Sequence, residues 1–108
     1  MHLEHIAINV PDPDAMAQWY VANLGMRIVR HTPVPNKTYF LADSTNSSVI
    51  EIYQNPAAPV PDYSTIAPLV LHFAFNVDDI DAEVARLTTA GAQLFAPIDT
   101  TPANDRLA

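Results

Sequence analysis

One stretch of this chain is written twice. His5-Ile6-Ala7-Ile8-Asn9-Val10-Pro11-Asp12-Pro13-Asp14-Ala15 returns as His72-Phe73-Ala74-Phe75-Asn76-Val77-Asp78-Asp79-Ile80-Asp81-Ala82. An offset of 67 residues carries His5 onto His72, and seven of the eleven positions then coincide. Repetition on this scale constrains a fold more than composition does, because each copy has to build the same supersecondary unit. Both copies read as a strand running into a helix. A histidine at the same place in each implies that both imidazoles point at one shared feature.

The first copy extends into a longer pattern. Leu3 to Val10 alternates, with Glu4, Ile6, Ile8 and Val10 on one face and Leu3, His5, Ala7 and Asn9 on the other. Asp12 can cap a helix with Pro13 at its first position, where the missing N–H costs nothing. Met16, Trp19, Tyr20 and Leu24 recur at helical spacing, so Trp19 and Tyr20 read as core, and Gly25 supplies a C-cap. Met26 to His31 reads as a strand, Pro33, Pro35 and Asn36 as a turn, and Thr38–Ala42 with Ser48–Gln54 as a hairpin. The order is β-α-β-β-β. From 55 to 68 four prolines fall in fourteen positions, Pro56, Pro59, Pro61 and Pro68, which marks a stiff linker. The second copy opens at Leu69 with a strand to Val77, continues into a helix from about Asp79 to Ala90 closed by Gly91, and gives a strand over Ala92–Pro97. The expectation is a single α+β domain over residues 1–108. It comprises module one at 1–54, the linker at 55–68 and a second, incomplete module at 69–108 that keeps only the approach to its final hairpin.

Composition narrows the function. Hydrophobic residues make up 49% of the chain and charged ones 16%, which fits a globular core and not a disordered segment. The net charge of −7, with only five basic residues, argues against nucleic acid and against an anionic membrane face as partners. Without cysteine there is no disulfide framework, thiolate metal site or cysteine nucleophile. No signal peptide or spanning segment is read, and a cytoplasmic location is the default.

Three residues could carry chemistry. His5 and His72 lie mid-strand, related by the repeat, and Glu51 lies mid-strand in Ser48–Gln54, opposite Ile50 and Ile52. A carboxylate in an otherwise apolar strand is costly unless something pairs with it. Two imidazoles and a carboxylate are ligands that Zn, Ni, Co, Mn or Fe accept. His2 and His31 lack the repeat relation and read as surface residues. Arg27, Arg30 and Arg106 could hold an anionic substrate, although lone arginines more often lie solvated.

At this point the chain resembles a known family. Leu3–Val10, Val49–Tyr53 and Leu71–Val77 look like the first, fourth and fifth strands of the vicinal oxygen chelate superfamily. That superfamily includes glyoxalase I, bleomycin and fosfomycin resistance proteins and extradiol dioxygenases. The resemblance implies two tandem βαβββ modules forming a curved mixed sheet, a cup with helices on its convex side. It further implies a divalent metal held by His5, Glu51 and His72, with a fourth ligand, a glutamate on an eighth strand, that has no counterpart here. The His/Glu/His order is similar to the glyoxalase I branch. By resemblance the function is a metal-dependent lyase or isomerase, in which the ion stabilises an enediolate of a small oxygenated substrate and Glu51 moves the proton. Two alternatives stand beside it: a non-catalytic drug-binding or resistance protein that takes a cationic guest, and a non-haem iron dioxygenase. The partner expected besides the small molecule is a second copy, in a homodimer with shared or swapped strands.

Overall fold

A computed structural model describes residues 1–108. The chain is mixed α+β and divides into two compact units, Met1–Ile66 and Ala67–Ala108.

Unit 1 contains β1 (Ile6–Asn9), α1 (Pro13–Leu24), β2 (Arg27–Thr32), β3 (Thr38–Ala42) and β4 (Val49–Tyr53), followed by a short 3₁₀ turn at Tyr63–Thr65. The four strands form one mixed sheet in the order β1-β4-β3-β2, with β1 parallel to β4 and the other pairs antiparallel. The β-α-β-β-β order expected from the pattern is the order observed. Asp12 caps α1 by accepting a hydrogen bond from Ala15 N at 3.0 Å, Pro13 opens the helix, and Gly25 closes it in the left-handed conformation (φ 65°) that glycine adopts without a Cβ clash. The helix lies against β2, β3 and β4. Val10, Ala17, Leu41 and Ile52 are wholly buried, with Met26, Ala42 and Ile50 close behind. Alternation explains the selection: Ile50 and Ile52 pair with Leu41 and Tyr39 in the ladder and share one face of the pleat.

Beyond the sheet, Asn9 anchors the chain as it leaves β4. Its Oδ1 accepts from Asn55 N at 2.8 Å, and its Nδ2 donates to Asn55 O at 3.2 Å and Ala58 O at 3.1 Å. Tyr63 closes the bracket, donating through its hydroxyl to Asn9 O at 2.9 Å. A buried amide side chain is tolerated because its donors and acceptor are all used.

Unit 2 contains α2 (Ile80–Thr89) and a two-stranded antiparallel pair, β5 (Asp99–Thr100) with β6 (Arg106–Leu107). Two expectations are corrected here. Leu69–Val77 does not form a strand in a ladder: residues 71–78 make no backbone hydrogen bond, and a strand needs a neighbour to satisfy its backbone. Nor is Ala92–Pro97 a strand; β5 begins two residues later, beyond Pro97, which has no N–H to give a ladder.

The repeat nonetheless survives in the contacts. Asp79 caps α2 by accepting from Ala82 N at 3.0 Å, the same bond at the same length as Asp12 with Ala15. Tyr39 on β3 donates to Asp14 Oδ1 at 2.7 Å, and Arg106 on β6 donates to Asp81 Oδ2 at 2.7 Å. Both pairs are related by the offset of 67. Unit 2 therefore repeats the helix cap and the strand-to-helix contact of unit 1, while β6 pairs with β5 two residues out of step with β3 on β2: Arg106 faces Thr100, where the offset would set it opposite Ile98.

Two outcomes are expected. Asp12→Ala removes an N-cap and should cost unit 1 about 1 kcal/mol, measured by urea unfolding. The hydrogen bond from Tyr39, followed by Lys37, holds the Asp14 carboxyl below its ordinary value of 3.8. A carboxyl depressed in the folded state stabilises it fully above that ordinary value and loses the contribution as pH falls through the lower, folded one. The melting-temperature gap between wild type and Tyr39→Phe should therefore be constant near neutrality and shrink below about pH 4. A gap unchanged down to pH 2 would remove Asp14 as its source.

Candidate functional site

The sheet of unit 1 has α1 on one face, and the other face gathers the polar side chains. Across it the ladder sets Ala7 beside Glu51, Glu51 beside Phe40, and Phe40 beside Arg30. One irregularity makes this row. From Ile28 opposite Leu41, simple pairing would bring Arg30 opposite Tyr39, on the helix side. A bulge between Ile28 and Arg30 shifts the register by one, so that Arg30 meets Phe40 instead.

The result is a stack. The Arg30 guanidinium carbon lies 3.4 Å from the centroid of the Phe40 ring. His5 meets the same ring edge-on, centroids 5.4 Å apart at 87°. Phe40 is thereby almost wholly covered although it stands on the face away from the helix. A guanidinium spread over an aromatic face is held by cation–π attraction and keeps its planar fork of N–H donors along its edge.

Glu51 and His5 come together at the end of this row, with His5 Nε2 3.0 Å from Glu51 Oε2. The other ring nitrogen, Nδ1, is bonded to the Glu4 carboxylate, and that bond holds the Glu4 carboxyl below its ordinary value. The ring is thus pinned between two acidic groups on opposite edges.

The expected ligand set is shared between the two units. His5 and Glu51 are adjacent in unit 1. His72 belongs to unit 2, is exposed, and has Nδ1 2.8 Å from Pro68 O. Within unit 1, Glu4 and Glu51 occupy opposite nitrogens of one ring and cannot close on a single ion with it. Neither unit gathers three His, Asp or Glu side chains in a position to hold a metal. Unit 1 offers an ion the His5 Nε2 and Glu51 positions only, one donor short of the three protein ligands that divalent-metal sites of this kind use.

Phe40 has no signal in the sequence pattern, Arg30 is read there only as one of three candidate anion holders, and Glu4 is read on the face opposite His5. Alternation alone puts Ile28 and Arg30 on the same face, and only the bulge separates them. Arg27 and Arg106, grouped with Arg30 as candidate anion holders, are engaged elsewhere, with Asn46 and Asp81 respectively. His31 rests against Tyr39, centroids 4.0 Å apart, on the helix side of the sheet.

Comparison with known proteins follows from this geometry. A family model described as Glyoxalase/Bleomycin resistance protein/Dioxygenase superfamily matches residues 2–108. Among solved structures, the chain is similar to TnmS3, an antibiotic binding protein from Streptomyces sp. CB03234. The TM-score is 0.63 at 19% identity, over 98% of this chain and 91% of that one. It is also similar to TioX from Micromonospora sp. ML1, with a TM-score of 0.62 at 21% identity, over 98% of this chain and 85% of that one. At these identities the likeness is one of fold. No curated protein matches the chain. The repeated sequence, the β-α-β-β-β order of unit 1 and a family match over all but the first residue lead to one conclusion: the chain belongs to the Glyoxalase/Bleomycin resistance protein/Dioxygenase superfamily.

Proposed function

We propose that this chain is a small-molecule-binding protein of the antibiotic-binding or drug-resistance kind, holding its guest against the open face of the unit 1 sheet. The observation that carries the reading is the Arg30–Phe40–His5 stack beside Glu51. It provides a flat cationic platform with a carboxylate at its end. A planar ring laid on the guanidinium continues the stack, and the fork of N–H groups can reach oxygens at the ring's edge. The net charge of −7 disfavours an anionic guest and favours a neutral or cationic one. Kinship in fold with TnmS3, described as an antibiotic binding protein, supports the same broad class of guest.

Calorimetric titration with a panel of planar, oxygen-rich antibiotics tests this. Arg30→Ala should weaken the best binder about tenfold, the loss of one stacked cationic contact. Lys37→Ala, on the helix side with Asp14, should leave binding unchanged. Equal affinity for wild type and Arg30→Ala would remove the platform from the reading.

A second reading, the metal-dependent lyase or isomerase of glyoxalase type, is favoured by the 3.0 Å approach of His5 Nε2 to Glu51 Oε2. It makes Glu51 both ligand and base and requires His72 as a third donor to a divalent ion. Elemental analysis of protein purified without chelator separates the two. The lyase reading expects a stoichiometric divalent metal that His72→Ala abolishes. The binding reading expects guest affinity to survive dialysis against a chelator.

A further inference from the structure

Strand β2 brings Arg30 to the open face, yet burial does little to hold it there. It is the outer strand of its sheet, bonded to β3 alone, and all six of its residues, Arg27–Thr32, are exposed. Burial ordinarily fixes the register of a strand, because a slip of one residue turns its apolar side outward. Here Ile28 and Val29 are adjacent and almost equally exposed, at 46% and 49%, so burial does not choose between them. Two registers are therefore open to the residues that follow. With Val29 as the extra residue, Arg30 meets Phe40 and His31 meets Tyr39. Without the bulge, Val29 would meet Phe40 and Arg30 would meet Tyr39. The guanidinium would then turn to the helix side, toward the Asp14 carboxylate that attracts it.

We propose that His31 is the positioning residue of the guest platform: stacked on Tyr39, it locks β2 in the bulged register and so determines that Arg30, and not Val29, covers Phe40. This rests on the reading of the Arg30–Phe40 stack as the surface that holds the guest. Three observations support the lock. Before the bulge β2 is tied by Arg27 to Asn46, and after it by two stacks, Arg30 on Phe40 and His31 on Tyr39 with centroids 4.0 Å apart. Tyr39 is itself fixed, since its hydroxyl donates at 2.7 Å to Asp14 Oδ1 in the first turn of α1. Lys37 Nζ takes the other oxygen of Asp14 at 3.1 Å, which offsets part of the charge that would draw Arg30 across the sheet. The lock thus runs from a capped helix through a phenol to an edge strand. Side chains on the helix side of the sheet thereby set what the open face presents to a guest.

The test is read on the full chain without a guest, so that it can fail separately from the reading of the platform. NMR of isotope-labelled protein reports the contact directly, because the Phe40 ring shifts the Arg30 Hδ and Hε resonances upfield. His31→Ala should abolish most of that shift and bring the Val29 methyls into contact with the Phe40 ring. His31→Phe keeps a ring on Tyr39 and should restore the shift. Deleting Val29 removes the choice of register, since Arg30 then follows Ile28 in straight pairing and still meets Phe40. In that background His31→Ala should leave the Arg30 shift in place. Three results would overturn the proposal. One is an Arg30 shift that His31→Ala leaves unchanged. Another is loss of the shift on His31→Ala even without Val29, which would make His31 act by a route other than register. The third is unfolding of His31→Ala that deletion of Val29 does not cure. With the best binder of the antibiotic panel, His31→Ala should weaken binding about tenfold, as Arg30→Ala does. A lost Arg30 shift with affinity unchanged would instead count against the platform and leave the lock standing.

Discussion

A hydrogen bond from a strand side chain to a carboxylate in the first turn of a helix sets the geometry of both units. Tyr39 reaches Asp14 in one, and Arg106 reaches Asp81 in the other. The donor changes from a phenol to a guanidinium, yet the acceptor and the capping aspartate two residues before it both stay. The first contact is only part-buried and the second is exposed, so their contribution to stability is small. Their consequence is positional: they set which strand residue lies over the helix start, and hence which residues the next strand must meet. In unit 1 that register puts Phe40, the neighbour of Tyr39, on the far side of the sheet, where the polar row is assembled.

The polar row depends in turn on a single extra residue. Strand parity is strict, so one bulge moves every later side chain of β2 to the opposite face. Without it Val29 would sit beside Phe40, and the open face would carry an aliphatic patch next to Glu51. With it, Arg30 covers the ring and His5 closes the other edge. The face becomes cationic at its centre and acidic at its margin in a protein whose overall charge is −7. Net charge biases which guests approach such a surface, and local arrangement decides how they are held.

Much of this was legible in the chain itself. The repeat predicts two strand-to-helix units, and the caps at Asp12, Gly25 and Asp79 follow from residue chemistry that acts within a single turn. The hairpin strands at 38–42 and 48–54 were legible because alternation and turn residues agree there. What was not legible depended on partners. The alternation of Leu69–Val77 is as clear as that of Leu3–Val10, but alternation states only which residues would share a face if a neighbouring strand were present. Arg30 was indistinguishable from Arg27 and Arg106, because a bulge is a property of the pairing of two strands and leaves no mark on either one alone. His5 and Glu51 were found because both stand out against apolar strands that β1 and β4 bring side by side.

The distribution of buried side chains shows what β4 contributes. Every fully buried apolar residue lies in unit 1, and Ile50 and Ile52 of β4 are at the centre of that set, with Leu41 across the ladder and Ile8 on the parallel side. Remove such a strand from the middle of a sheet and its two neighbours lose their hydrogen bonds and the apolar surface between them together. Unit 2 has the helix, the cap, the carboxylate contact and the counterparts of both neighbours, and buries no side chain completely. Its apolar residues are no fewer in kind: Phe75, Val77, Leu94 and Phe95 are present and exposed. A pleated surface becomes a core only when a strand on each side holds it flat against its helix, and unit 1 meets that condition at β4.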